Sequence, residues 1–190
     1  MKKHIHFHTD CPFFAGCETM LANFFSNDRL MNGYEVSFSY RWSDAYERGL
    51  KARVARQIAA AAPRIPDAGA IYESLSTRPA WLRITLRAAM ILLLARYWFV
   101  LWNTIRLAMH FRPLGIDLLH VNNGNYPGAY SCMSAVFAAR LCGIREIVYV
   151  VNNIAVPYRR WQDGPTIRWT AWWRVWCRFL SPARCKLQLP

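Results

Sequence analysis

The sequence predicts an α/β fold, a Rossmann-like parallel sheet flanked by helices, and three observations carry that prediction. First, two short apolar runs, Ile116–Val121 and Ile147–Val151, each end in a pair of asparagines, with a glycine-bearing loop and an Ala-rich helical stretch between them. Second, another strand–turn–helix–strand succession opens the chain, between His4 and Tyr40. Third, a hydrophobic fraction of 54% over 190 residues supplies a core for one domain or slightly more, which excludes global disorder.

The first element, His4-Ile5-His6-Phe7-His8-Thr9, alternates polar and apolar residues with the period of a strand. His4, His6, His8 and Asp10 share one parity, so their side chains leave the strand on the same side. Such a row has the chemistry of a metal-ligand set, as in metal-dependent hydrolases that begin His-x-His. Only His110 and His120 remain to complete it, so the expectation is a polar face that meets a ligand crevice or a covering helix, and no metal.

Asp10-Cys11-Pro12 turns the chain, and the stretch from Phe13 leads through Gly16 and Glu18 into a helix over Met20–Phe25, closed by Ser26-Asn27-Asp28. Gly16 allows a tight turn that presents backbone N–H groups at a helix start, which suits an anion such as a diphosphate; the plainer reading is a turn alone. Glu18 favours the helix N-terminus through its dipole. Asn32-Gly33 then leads into a second strand, Glu35–Tyr40.

From Arg41 to Pro79 the chain becomes polar, with Lys51–Ala62 reading as an amphipathic helix that carries Arg53 and Arg56. Pro63, Pro66 and Gly69 break it, and Ser76-Thr77-Arg78-Pro79 signals a new helix start. The longest periodic stretch follows, Trp81–Phe111. Arg96 and Asn103 interrupt its apolar run, while Arg83, Arg87, Arg106 and Arg112 flank it. A membrane span needs about 20 mostly apolar residues, so the expectation is a helix packed on the sheet whose outer face meets lipid headgroups.

The central βαβ unit then runs from Leu118 to Val151, its helix closed at Gly143, where a left-handed cap falls. Asn122-Asn123 and Asn152-Asn153 sit at the carboxyl ends of its two strands, where open α/β sheets bind ligands. Asn122, Asn123 and Asn152 offer paired donors and acceptors for sugar hydroxyls, or cap their own loops. Gly124 and Gly128 let the loop approach a ligand or adopt positive φ.

The net charge of +13 favours anionic partners. Nucleic acid is the weaker of these, because the arginines are scattered along helices and no known binding motif is present. The six cysteines, at 11, 17, 132, 142, 177 and 185, contain no Cys-x-x-Cys pair and no zinc-like spacing. The amino terminus lacks an apolar signal core, which points to a reducing cytoplasm. No acidic residue follows Asp163, and Trp169, Trp172, Trp173 and Trp176 crowd with arginines in a basic tail over residues 159–190. That tail reads as a membrane-surface segment or as sequence of no selected structure, such as an out-of-frame stretch.

Phe13-Phe14-Ala15-Gly16-Cys17-Glu18-Thr19-Met20-Leu21, the segment Asp117–Ile144 and the strand Ile147–Asn153 together resemble, in order and spacing, the amino-terminal half of family 4 glycosyltransferases. The resemblance covers about Lys3 to Tyr158. It implies one half of a GT-B fold, residues 1–158, on the acceptor side, with the second domain absent from this chain. It implies transfer of a sugar from a nucleotide-sugar to a glycan or lipid-linked acceptor, with no cofactor. Gly16, Glu18, Asn122, Asn123, Gly124, Asn152 and Asn153 are then the donor and acceptor contacts. The chain departs from the family in carrying Asn152-Asn153 where many members have a histidine near the reaction centre. An amide binds a hydroxyl but does not act as a base at neutral pH. A peripheral position on the inner face of an anionic membrane fits the charge. The alternative is a non-catalytic basic module on membranes.

Overall fold

The computed structural model describes residues 2–152, apart from 15, 67–70, 72–73, 94 and 124–129. Five parallel strands form one sheet in the order β3-β2-β1-β4-β5: β1 His4–Thr9, β2 Glu35–Tyr40, β3 Ala59–Ala61, β4 Leu118–Asn123 and β5 Glu146–Val151. The Rossmann-like α/β architecture is therefore as the periodicities indicated, and β2, β1, β4 and β5 are consecutive neighbours in the sheet.

Strand alternation gives the sheet two chemically different faces. On one face Phe7 pairs in register with Phe38, and both pack with Tyr40 against Leu21 and Phe25 of α1 (Gly16–Phe25) and Tyr46 of α3 (Asp44–Arg53). A six-residue helix, α2 (Asp28–Gly33), capped by the Asn27 side chain, connects α1 to β2. On the other face Leu119 and Val121 meet Leu107 and Phe111 of α5 (Ala95–Phe111) and the small residues Cys132, Ala135 and Ala139 of α6 (Tyr130–Leu141).

Helix α6 ends in a Schellman turn. Gly143 has φ 79°, the Ile144 N–H donates to Ala139 O at 2.9 Å, and the Gly143 N–H donates to Arg140 O at 3.1 Å. Only a residue that tolerates left-handed φ closes the helix this way, which is why the glycine was readable as a stop.

Two expectations are corrected. Lys51–Ala62 is not one helix: α3 begins earlier, with Ser43 as its N-cap accepting from the Tyr46 N–H, and stops at Arg53, and Ala59–Ala61 is β3. Alanine favours helix by propensity, but parallel pairing of Ala59, Ala60 and Ala61 with Ser37, Phe38 and Ser39 overrides it. The stretch from Trp81 to Phe111 is two helices, α4 (Ala80–Leu92) and α5. No helix among the described residues is long and apolar enough to cross a membrane.

Candidate functional site at the carboxyl edge of the sheet

The polar face of β1 is a hydrogen-bonded ladder. In-register pairing sets His6 beside Ser37 and His8 beside Ser39. Ser37 Oγ bridges His4 Nε2 (2.7 Å) and His6 Nδ1 (2.6 Å), and Ser39 Oγ bridges His6 Nε2 and His8 Nδ1 (both 2.8 Å). His4 Nδ1 reaches Leu114 O at 2.7 Å, and His8 Nε2 reaches Ser131 Oγ at 3.3 Å. All six ring nitrogens are thus engaged. Phe111 of α5 covers the row, its ring 5.0 Å from that of His6. The covering-helix reading of this face is the one the fold realises. Burial, followed by repulsion from His110, holds His8 down to about 3, and burial with the neighbouring histidines holds His6 low as well.

Where β1 ends, the side chains change from a ladder to a cluster. Glu18, fully buried in the first turn of α1, accepts from the Thr9 hydroxyl (2.8 Å, Oε1), the Tyr46 hydroxyl (2.6 Å, Oε2) and Asn122 Nδ2 (3.4 Å, Oε1). Asn122, also buried, donates from the same nitrogen to Cys17 O at 3.3 Å and accepts at Oδ1 from Asn152 Nδ2 at 2.6 Å. Asn152 is exposed. Beside this chain Asp10 pairs with Arg41 Nε (2.9 Å) and accepts the Ser131 N–H (3.0 Å), which ties the end of β2 and the start of α6 to the end of β1.

Three of the sequence-predicted site residues, Glu18, Asn122 and Asn152, therefore form one hydrogen-bonded line, and Gly16 begins the helix that carries Glu18. Asn123 pairs by backbone with Val151 at the same edge. Gly124, Asn153, the loop glycine Gly128 and the basic tail 159–190 lie outside the described residues. The roles differ from those read in sequence. Glu18 does more than favour its helix end: it is the acceptor hub that orients Asn122. Among the described residues no heavy atom outside its own helix and neighbours lies within 4 Å of where a Gly16 Cβ would stand, and its φ is outside the left-handed range. Its turn does not require glycine.

Sequence reasoning missed Tyr46, Thr9, Arg41, Ser131 and the two thiols of the first loop. Asp10 carried a signal, its shared parity with the histidines. Tyr46 carried none, because it reaches Glu18 from a helix 28 residues away. Cys11 Sγ lies 3.6 Å from Cys17 Sγ, and Cys17 Sγ lies 3.8 Å from Glu18 Oε1. Burial, then the Glu18 carboxylate, pushes the Cys11 thiol up, and burial also raises Cys17. Burial and Glu18 likewise raise the Tyr46 hydroxyl, so it stays a donor. An open groove of about 510 Å³ exists elsewhere, lined by Tyr97, Leu101, Thr104, Phe137 and Arg145 between α5 and the end of α6. It is largely apolar and contains none of the clustered polar groups.

Fold and site together define an α/β Rossmann-like domain with a polar cluster at the carboxyl ends of its strands. No protein-family model, curated protein or solved structure matches the chain.

Proposed function

We propose that this chain is the acceptor-side domain of a GT-B glycosyltransferase of family 4, acting on a nucleotide-sugar and a glycan or lipid-linked acceptor. The single observation that supports it most is the line Glu18–Asn122–Asn152, which joins the first turn of α1 to the carboxyl ends of β4 and β5. In this reading the N–H groups at the start of α1 receive a diphosphate beside Gly16. Asn152, held by Asn122, brings to this edge an amide of the kind that binds a sugar hydroxyl. The described residues form one wall of such a crevice. Transfer also needs the donor oriented from the other side, and lost orientation alone forfeits about 7–11 kcal/mol of barrier reduction. Weak donor binding and no turnover are therefore expected of the 190-residue chain by itself.

A second reading, a basic module on anionic membranes, is favoured by one surface. Trp98, Leu101, Trp102, Ile105 and Met109 are exposed along one side of α5, and Trp81 and Ile84 are exposed on α4 beside Arg83 and Arg87. The two readings are compatible, because a lipid-linked acceptor places the enzyme at the inner membrane face.

The test is calorimetric titration of the chain with UDP-, GDP- and ADP-sugars, with Gly16→Ala and Asn152→Ala compared with the parent. Submillimolar to millimolar binding to one donor class, weakened at least about tenfold by Gly16→Ala without loss of thermal stability, supports the proposal. A methyl group at Gly16 meets no heavy atom of the described residues within 4 Å, so a loss of affinity without a loss of thermal stability reports on the ligand. Equal affinity of parent and Gly16→Ala, or no binding to any donor, removes the site from this function.

A further inference from the structure

We propose that Cys11, Cys17 and Glu18 form a binding site for one thiophilic divalent cation of the zinc class, at the carboxyl end of β1. The three donor atoms, two sulfurs and one carboxylate oxygen, lie within 4.8 Å of one another. The sulfur–sulfur distance is 3.6 Å and the Cys17 Sγ–Glu18 Oε1 distance is 3.8 Å. A tetrahedral zinc ion has bonds of about 2.3 Å to sulfur and about 2.1 Å to oxygen, which spaces its ligand atoms about 3.5–3.8 Å apart. Two of the three edges already stand near that spacing, so a cation enters with little rearrangement.

Two residues between the thiols, Pro12 and Phe14, are held from outside. Phe14 packs on Gly49 of α3, where even a methyl group would fall 2.2 Å from Phe14 Cβ, and the Ser43 hydroxyl donates to Pro12 O. The carboxylate is fixed as well, by the Thr9 and Tyr46 hydroxyls, which is the outer-shell support that metal-binding carboxylates commonly have. Thiolates select zinc, cobalt(II) or cadmium over magnesium or calcium. Binding releases the thiol protons to the buffer. Three protein donors leave a fourth tetrahedral position for water or another oxygen ligand. The histidine ladder contributes nothing, since its ring nitrogens already have partners. Cys11 and Cys17 are separated by a five-residue spacer that resembles no zinc motif, so the sequence reading expects no metal; the fold, not the spacing, brings the donors together. The inference does not depend on sugar transfer.

The experiment is anaerobic titration of the reduced, metal-stripped 190-residue chain with Co2+, read by thiolate-to-cobalt charge-transfer absorption. The expected result is saturation at one equivalent, lost in Cys11→Ser and in Cys17→Ser, and retained in a Cys177→Ser, Cys185→Ser double variant. Glu18→Gln, which keeps the shape of the carboxylate, is expected to retain the thiolate band and weaken affinity at least about tenfold. A circular dichroism spectrum establishes that each variant is folded. Absence of the band in the folded parent, or a band that survives Cys11→Ser and Cys17→Ser, overturns the proposal. So does a parent chain 2 Da lighter under mild oxidation that takes up no metal when reduced again, which would make the pair a disulfide former only.

Discussion

At the scale of single residues, the ladder and the cluster differ in what their polar atoms can tolerate. Ser39 Oγ is the shared partner of two buried ring nitrogens, His6 Nε2 and His8 Nδ1. Ser39→Ala removes one oxygen and strands both, each at a cost of about 1–3 kcal/mol. The expected loss is at least about 2 kcal/mol in urea denaturation, whereas Ser39→Thr, which keeps the hydroxyl, should lose less. Equal losses for both variants would show that packing, not the bridge, matters at this position. The ladder was half legible in sequence. Parity put three histidines on one face, but nothing in β1 named the serines of β2 that answer them. Glu18 was visible as a helix-start residue, yet its partners Thr9, Tyr46 and Asn122 come from three separate segments and could only be found once the chain was folded.

At the scale of elements, two glycines make opposite predictions from Gly16. Gly143 holds a left-handed φ at the end of α6. Gly143→Ala should therefore destabilise by about 1 kcal/mol through strain alone. Gly49 lies within α3, where glycine is ordinarily a weakness. Here a Cβ would fall inside Phe14, so Gly49→Ala should lower the melting temperature rather than raise it as helix propensity suggests. A raised melting temperature would mean that Phe14 does not rest on α3. The exposed row on α5, with Arg83, Arg87 and Arg106 nearby, should bind anionic vesicles in a salt-sensitive way, each basic group near the surface contributing about 1 kcal/mol. Trp98→Ser combined with Trp102→Ser should reduce that binding, and equal sedimentation with neutral and anionic vesicles would remove the electrostatic part. Strands were easier to read than the connections between them. Alternation marks β1 and β2, and apolar runs mark β4 and β5. The three alanines of β3 carry no strand signal, and the break between α4 and α5 falls at Leu93 without glycine or proline to announce it.

At the scale of the whole molecule, stability should depend on pH through histidines. His6, His8, His110 and His120 are all held below 6.5 with burial as the largest cause, His8 at about 3 and His120 at about 4. Above pH 6.5 both the folded and unfolded chains keep them neutral, and they contribute no pH dependence. Below 6.5 the unfolded chain takes up protons that the folded chain refuses, so stability falls as pH falls, toward the depressed values. The slope is at most about 1.4 kcal/mol per pH unit for each such group. Urea midpoints measured from pH 7 to pH 5 should therefore decline. His120 packs between the rings of Phe7 and Phe24, with Nδ1 lacking a hydrogen-bond partner among the described residues. His120→Phe should make the decline shallower, and an unchanged slope would assign the pH dependence elsewhere.

The ladder also has a direction. Leu114 O only accepts, so His4 Nδ1 carries a hydrogen toward it. If His4 is otherwise neutral, its Nε2 must accept from Ser37, His6 must then point its hydrogen at Ser37, and each link repeats the choice until Ser131 donates to His8. The row thus runs in one sense across the sheet, from the Leu114 carbonyl at its amino edge to Ser131, in the first turn of α6, at its carboxyl edge.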